Sequence, residues 1–122
     1  HVYTRWSVKE LLLQNSLDYV QTDPDWTGGI TEQVMICALA SSFDIPVIAH
    51  GHSILPALHI AAAQSPAVVP MVEYMVNLQG VKQALFKQMP VPEAGLLSLP
   101  RQPGLGLVIN EDLERHEVHW IA

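Results

Sequence analysis

Apolar residues recur at helical spacing in three stretches of the chain. In residues 7–15 they fall on one face, with Val8 and Leu12 among them, and the charged residues lie outside it. In residues 31–43 they cover most of the helix circumference, which is typical of a helix that packs on more than one side. Residues 55–63 form the third stretch. We therefore predict three helices.

Short apolar runs of strand type lie between and after these helices, at residues 17–23, 45–49 and 67–74. Residues 24–29, after the first run, are rich in turn formers and are predicted to be a loop. The run IPVIA (45–49) is continuously apolar, as expected of a parallel strand buried on both faces. The spacing of about 25 residues from strand to strand suits crossover connections between parallel strands. The pattern therefore predicts the order β, α, β, α, β.

The alternation stops after residue 74. Residues 75–122 contain the run PGLGL (103–107) and several prolines, so we predict an irregular tail that lies over another protein surface. The stretch INEDLERHEVHW (109–120) is compatible with a short helix or an edge strand, and its pattern does not decide between them.

The predicted order fits two architectures, a doubly wound sheet and a (β/α)₈ barrel. No G-x-G-x-x-G phosphate motif follows a predicted strand. Instead, each strand ends in an ionisable residue: Asp23, His50 and Glu73. In a barrel these ends form one rim, where active sites lie. Three strands are less than half of a barrel of ~250 residues, so we expect the chain to be part of a larger protein.

Composition supports the same expectation. Hydrophobic residues make up 49% of the chain and charged residues only 15%, so we expect other protein to cover some of its apolar surface. The chain also begins at His1, and its first helix runs directly into a strand, as if the sequence began within a fold.

Charge and cysteine content exclude several classes of partner. The net charge is −6 and there is no basic cluster, so we do not expect nucleic acid binding. No apolar run has the length of a membrane span. The single cysteine, Cys37, lies in an apolar helical segment, which argues against a disulfide framework and favours the reducing cytoplasm. We interpret Cys37 as a packing residue and not as a nucleophile.

The candidate chemistry centres on Asp23 and His50, which end successive predicted strands. Neighbouring parallel strands lie ~4.8 Å apart, so the two side chains can meet within a hydrogen bond. A carboxylate on one imidazole nitrogen fixes the tautomer and directs the other nitrogen at a substrate. Alternatively, His50 only caps the following helix. Glu73 should point into the same mouth, where it either accepts loop N–H groups or contacts a substrate oxygen.

Two alternatives involve the residues after His50. HGH (50–52) matches the H-x-H pair with which some barrel hydrolases hold a metal. Those enzymes have further histidines on later strands, whereas the one predicted strand that follows here ends in Glu73. GHSIL (51–55) begins like a G-x-S-x-G nucleophile elbow, with Asp112 and His116 downstream in hydrolase order, but Leu55 replaces its second glycine.

The other aromatic and histidine residues have less specific interpretations. Trp26 is either loop packing or a wall of the substrate pocket. We interpret His59 as a hydrogen-bonded core residue, and His116 and His119 as surface residues.

Four segments of the chain are VQTDPDWTGGITE (20–32), DIPVIAHG (44–51), VEY (72–74) and LPRQPGLGL (99–107). Together they resemble the carboxy-terminal part of the enolase superfamily, in its mandelate racemase-like branch of acid sugar dehydratases. The similarity covers essentially the whole chain. Residues 1–12, HVYTRWSVKELL, are most similar to L-rhamnonate dehydratases.

The resemblance implies an α/β fold, the C-terminal part of a modified (β/α)₇β TIM-type barrel at about its sixth to eighth strands. Residues 1–98 would belong to the barrel, and residues 99–122 would be a returning tail that completes a capping domain built largely outside this chain. It also implies Mg²⁺ held by three carboxylates that all precede His1, the last of them immediately. The cofactor ligands are therefore expected upstream of this sequence, and the chain alone is expected to be inactive.

The resemblance also assigns roles to residues. The family's Asp–His dyad falls on Asp23 and His50, and its eighth-strand glutamate falls on Glu73. His1 is implied as a second acid or a substrate contact, and we expect His52 and Trp26 to contact the substrate as well. The implied reaction removes the proton α to the carboxylate of a sugar acid and expels the β-hydroxyl, giving a 2-keto-3-deoxy acid. A homo-oligomer is the expected assembly.

Two other functions stay open at this point. A racemase or epimerase of the same superfamily would use a second base from a barrel strand outside this chain. A member that has lost its upstream carboxylates would be a non-catalytic binding or structural protein.

Overall fold

A computed structural model of the chain describes residues 2–112. Five α-helices and one 3₁₀ turn follow one another between extended connections. They are α1 (Arg5–Leu13), α2 (Pro24–Thr27), α3 (Ile30–Ser41), the 3₁₀ turn (Gly51–Ser53), α4 (Ile54–Ala63) and α5 (Val76–Leu85).

Three extended segments lie side by side as short parallel strands. Isolated parallel bridges join Val20 to Val47 and Ala49 to Val72. Backbone hydrogen bonds add to these bridges, with Val20 N–H donating to Pro46 (3.0 Å) and Ile48 N–H donating to Val20 (2.9 Å). The second segment therefore lies between the first and the third. This is the predicted parallel order, and among the described residues the sheet does not close into a barrel.

The main core forms between these segments and helices α1, α3 and α4. α3 lies deepest, and its residues Ile36, Cys37 and Ala40 have no exposed surface. Its amino terminus is tied to α1, because the backbone N–H of Arg5 donates to Glu32 Oε1 at 2.9 Å. The remaining core residues are Val8, Leu12, Val20, Val47, Ile60 and Val69.

Burial also determines the ionisation of Cys37, the single cysteine of the chain. Cys37 is fully buried in α3, and this desolvation raises its pKa to about 11. The thiolate form is the reactive one, so the interpretation of Cys37 as a packing residue is confirmed.

The predicted helices at 7–15, 31–43 and 55–63 are confirmed as α1, α3 and α4, with ends that differ by one or two residues. The predicted loop at 24–29 is wrong in part, because its first four residues form the one-turn helix α2.

The prediction of an irregular tail from residue 75 is wrong at its start, because residues 76–85 form α5. Its apolar residues Leu78, Val81 and Leu85 recur at helical spacing, but Val81 and Leu85 are exposed. The buried side chain among the described residues of α5 is the amide of Gln79. From residue 86 the described chain is irregular, with antiparallel bridges at Phe86–Ile109 and Glu93–Leu96. The proposed helix or edge strand at 109–120 lies mostly outside the described residues.

Among residues 2–112, no helix combines the length and the apolar character that a lipid bilayer span requires.

Candidate active site

Asp23 ends the first extended segment and begins α2. Its backbone is extended (φ −118°, ψ 131°), and its Oδ1 accepts a hydrogen bond from the Asp25 backbone N–H at 2.8 Å, which caps the helix. Pro24 occupies the first helical position, where a missing N–H has no cost. Gly28 ends the turn with φ 104°, a conformation that favours glycine. This capped turn buries Asp23 to 1% exposure with its second carboxylate oxygen directed at the neighbouring segment.

His50 ends the second extended segment beside Asp23. Its backbone N–H donates to the Thr22 carbonyl at 3.0 Å, and this register places the two side chains next to each other. His50 Nδ1 lies 3.1 Å from Asp23 Oδ2, which also accepts the Ser53 backbone N–H at 3.3 Å. An acceptor-only carboxylate requires the proton on Nδ1, so the His52 N–H, 3.3 Å from Nδ1, does not donate to it in that tautomer.

Glu73 lies on the other side of the same imidazole. Its Oε2 is 3.7 Å from His50 Nε2 and accepts the Gly51 backbone N–H at 2.9 Å. The side chain of Glu73 is 37% exposed and that of His50 is 23% exposed, so solvent or a ligand can reach Nε2. The three strand-end residues predicted to share one mouth do lie together.

A second aspartate–histidine pair repeats the geometry of the first. His52 Nδ1 lies 3.1 Å from Asp25 Oδ2, a pair with the same separation in sequence as Asp23 and His50, 27 residues. Trp26 contacts both imidazoles, with ring centroids 5.1 Å from His50 and 5.3 Å from His52. The indole of Trp26 thus packs against the dyad histidine, and its contact with a substrate stays a prediction.

Two cavities of about 200 Å³ each flank this arrangement. The first contains the face of the dyad and is lined by Val2, Gln21, Thr22, Asp23, Trp26 and His50. The second lies beyond His52, between α4, α5 and the tail, and has Asp25, Ser53 and Lys82 at its polar end. The structure thus places Trp26 in the cavity of the dyad and His52 in the neighbouring one.

A buried polar network supports Asp23 from behind, and the sequence reasoning missed it. Gln33 in α3 has no exposed surface and donates from Nε2 to Thr22 Oγ1 at 2.7 Å. Thr27 Oγ1 donates to the Asp23 carbonyl at 3.0 Å and lies 3.3 Å from Gln33 Oε1. The signal was available, because Gln33 is the polar position on the face that also carries Ile36, Cys37 and Ala40.

One group of described residues has possible metal ligands, Asp23, Asp25 and His52, whose donor atoms lie within 4.8 Å of one another. These donors already bind each other and their neighbours, and Lys82 Nζ lies 3.4 Å from His52 Nδ1 and 4.0 Å from Asp25 Oδ2. Mg²⁺ prefers an octahedral set of oxygen ligands, with several waters. A group with an imidazole and a neighbouring ammonium does not fit it.

The two alternatives that involve the residues after His50 gain no support from the geometry. His50 and His52 contact different carboxylates and do not converge as an H-x-H metal pair. Ser53 is 5% exposed, and its Oγ has no hydrogen-bond partner among the described residues, so none of these residues is placed to activate it as a nucleophile.

The remaining histidine predictions have mixed outcomes. His59 is half-buried in α4, but its Nε2 has no partner within residues 2–112, so the predicted hydrogen bond is not found at that atom. His1, His116 and His119 lie outside the described residues.

Comparisons with known proteins place these features in a family. The sequence profile of the family described as "Enolase C-terminal domain-like" matches residues 1–113. The chain is 35% identical to the arabinonate dehydratase of Saccharolobus solfataricus over 113 residues, which is 89% of this chain and 30% of that protein. It thus spans about 30% of the length of this curated relative.

Solved structures show the same relationship. The L-rhamnonate dehydratase of Gibberella zeae is 30% identical, with a TM-score of 0.77 that covers 94% of this chain and 31% of the other. The L-talarate dehydratase of Polaromonas sp. JS666, complexed with Mg and L-glucarate, is 25% identical, with a TM-score of 0.77 over 93% of this chain and 30% of that one.

Proposed function

Because this chain belongs to the enolase C-terminal domain-like family, we propose that the protein that carries it dehydrates a sugar acid to a 2-keto-3-deoxy acid. The observation that carries the proposal is the contact of 3.1 Å between His50 Nδ1 and Asp23 Oδ2 at the ends of adjacent parallel segments. Relatives that share this part of the chain are named as dehydratases of arabinonate and L-rhamnonate. An aldonate similar to L-rhamnonate is the proposed substrate class.

In the proposed mechanism His50 is the general base. Asp23 holds the Nδ1–H, so Nε2 carries the lone pair and takes the proton from the carbon α to the substrate carboxylate. The resulting imidazolium is stabilised by Asp23 on one side and by Glu73, 3.7 Å away, on the other. The β-hydroxyl then leaves as water with a proton from His50 or His1, and the enol tautomerises to the 2-keto acid.

The remaining predicted residues have binding roles in this proposal. Trp26 forms an apolar wall of the cavity that holds the dyad, which suits the carbon face of a sugar acid. His52, held by Asp25, is placed to hydrogen-bond a hydroxyl at the far end of the substrate. His1 is proposed as a further acid or substrate contact, on the basis of the family motif alone.

The proposed cofactor is Mg²⁺, as in the complex of the Polaromonas enzyme. Since the described residues do not fit this ion, we place its ligands outside this chain. We also propose that the protein is a homo-oligomer and that it lies in the cytoplasm. The buried, unpaired Cys37 agrees with the second of these proposals.

A product screen tests the proposal. The full-length protein is incubated with a library of aldonic and aldaric acids and Mg²⁺, and 2-keto-3-deoxy acid is detected chemically. We expect turnover of at least one aldonic acid, near-complete loss of turnover in His50→Asn, and unchanged turnover in His59→Asn, the matched control in α4. If the wild type produced no 2-keto product from any acid, the dehydratase proposal would be wrong. Exchange of the α-proton without 2-keto product would favour a racemase or epimerase.

A further inference from the structure

Helix α5 holds the turn that follows His50 through two side chains on one face. Gln79 Nε2 donates to the carbonyl of Gly51 at 2.7 Å, and Lys82 Nζ donates to the carbonyl of His52. Residues three apart lie on the same face of a helix, so α5 holds two successive carbonyls of the turn. None of the family motifs described above includes either side chain.

The backbone of Gly51 is fixed at both of its polar groups. Its carbonyl accepts from Gln79, and its N–H donates to Glu73 Oε2 at 2.9 Å. It also has no spare room, because a Cβ at this position would lie 2.5 Å from the Glu73 carbonyl oxygen. One residue thus couples α5 to Glu73, and it directly follows His50.

Gln79 is a buried polar side chain whose described hydrogen bond is the one to the turn. It is 1% exposed, and its Oε1 has no hydrogen-bond partner among the described residues. An unsatisfied buried carbonyl is unfavourable, and the bond from Nε2 to the Gly51 carbonyl is what offsets it. The opposite amide orientation would only bring two acceptors together, Oε1 and the Gly51 carbonyl.

We propose that Gln79 is a positioning residue: it holds the Gly51 peptide so that His50 Nε2 and Glu73 Oε2 keep their separation of 3.7 Å. The inference rests on the proposed roles of His50 and Glu73. Misplacing a reacting group by about 1 Å can lower a rate by about a hundredfold. The cavity around Trp26 has no lining residue from α5, and the imidazole of His52 is held by Asp25, so the effect should fall on kcat more than on KM.

The test compares Gln79→Met and Gln79→Glu in the full-length protein. Methionine keeps the volume without a donor, and glutamate keeps the shape but presents an acceptor to the Gly51 carbonyl. Asn77→Asp, at an exposed position of the same helix, is the control for added charge. We expect kcat to fall about tenfold to a hundredfold in both Gln79 variants, with KM within about threefold of the wild type. The control should match the wild type.

Hydrogen exchange measured by mass spectrometry supplies a readout that does not depend on activity. In Gln79→Met, exchange of peptides that contain residues 50–53 should rise about three- to tenfold, while peptides of α3 stay unchanged. An equal rise in α3 would mean general destabilisation and would overturn the inference, as would unchanged kcat in an active enzyme. If the wild type turned over no acid, the proposed function would fail. Separately, if hydrogen exchange at residues 50–53 were the same in Gln79→Met as in the wild type, the role of the Gln79 contact would be rejected.

Discussion

Replacing Asp23 with asparagine changes one atom of the dyad and keeps its shape. In the folded protein Asp23 Oδ1 accepts the Asp25 N–H, and Oδ2 faces both His50 Nδ1 and the Ser53 N–H. An asparagine has one oxygen and one NH₂ group. Either orientation therefore brings a donor against a donor, and the orientation that keeps the helix cap gives His50 the wrong tautomer.

The magnitude follows from the lost hydrogen bond. A hydrogen bond to a charged group contributes about 1.5–3 kcal/mol. Since each 1.36 kcal/mol in the activation barrier is a factor of ten, Asp23→Asn should lower kcat by about tenfold to 150-fold. Because Asp23 is 1% exposed, the unfavourable donor contacts should also lower the free energy of unfolding by about 1–3 kcal/mol.

The assay is steady-state turnover of the aldonic acid found in the product screen, together with thermal unfolding of the same samples. Asp18→Asn makes the same chemical change at an exposed position and should alter neither quantity. If Asp23→Asn kept kcat within about threefold of the wild type while folding normally, Asp23 would not orient the base and the reasoning would be refuted.

Three further predictions concern packing, ionisation and binding. Gly51→Ala places a Cβ 2.5 Å from the Glu73 carbonyl and should cost about 1–3 kcal/mol of unfolding free energy with loss of turnover, whereas Gly80→Ala, with nothing within 4 Å, should be neutral or stabilising in thermal unfolding. Burial raises the pKa of Cys37 from 9.0 to about 11, so the unfolded chain loses the thiol proton at lower pH than the folded chain. The free energy of unfolding should therefore fall by about 2–3 kcal/mol between pH 9 and 11 because of this thiol. Denaturant titrations of the wild type and Cys37→Ala measure this as a difference, and a pH-independent difference would contradict it. Trp26→Ala should raise KM severalfold and more than it lowers kcat, and an unchanged KM in steady-state kinetics would remove Trp26 from the binding cavity.

The sequence was informative where burial dominates. α3 and α4 are apolar on most sides, so the length and apolar content of their segments place them, and the continuous run at 45–49 marks the central segment. The contact of Asp23 with His50 could also be predicted, since it depends only on the spacing of adjacent parallel strands and on the position of each residue at a strand end.

The sequence reasoning missed two helices that polar side chains hold in place. α2 depends on a side-chain cap and a proline at its first position, so Asp-Pro was its signal in place of periodicity. α5 is held to the turn after His50 by Gln79 and Lys82. The helical spacing of Leu78, Val81 and Leu85 was its signal, but the prolines that follow the helix led to the prediction of an irregular tail. The pair of Asp25 and His52 was visible only as a repeat of the sequence separation of the first pair.

The resemblance added what residue patterns could not. Strand-end polar residues favoured a barrel over a doubly wound sheet, but only the motifs identified the enolase superfamily, and the match of the family over residues 1–113 confirms it. This part of the chain carries the proposed base and its supports, and its described residues do not fit a magnesium site.

Exchange of the substrate α-proton in ²H₂O tests the central claim most directly, because it isolates proton abstraction from loss of the hydroxyl. Residual substrate from partial reactions is analysed by ¹H NMR for the wild type, His50→Asn and His59→Asn. Deuterium at the α-carbon, or deuterium-labelled product, is expected with the wild type and with His59→Asn, and neither is expected with a folded His50→Asn. Exchange at the wild-type rate in His50→Asn would show that another group removes the proton, and the assignment of His50 as the base would be wrong.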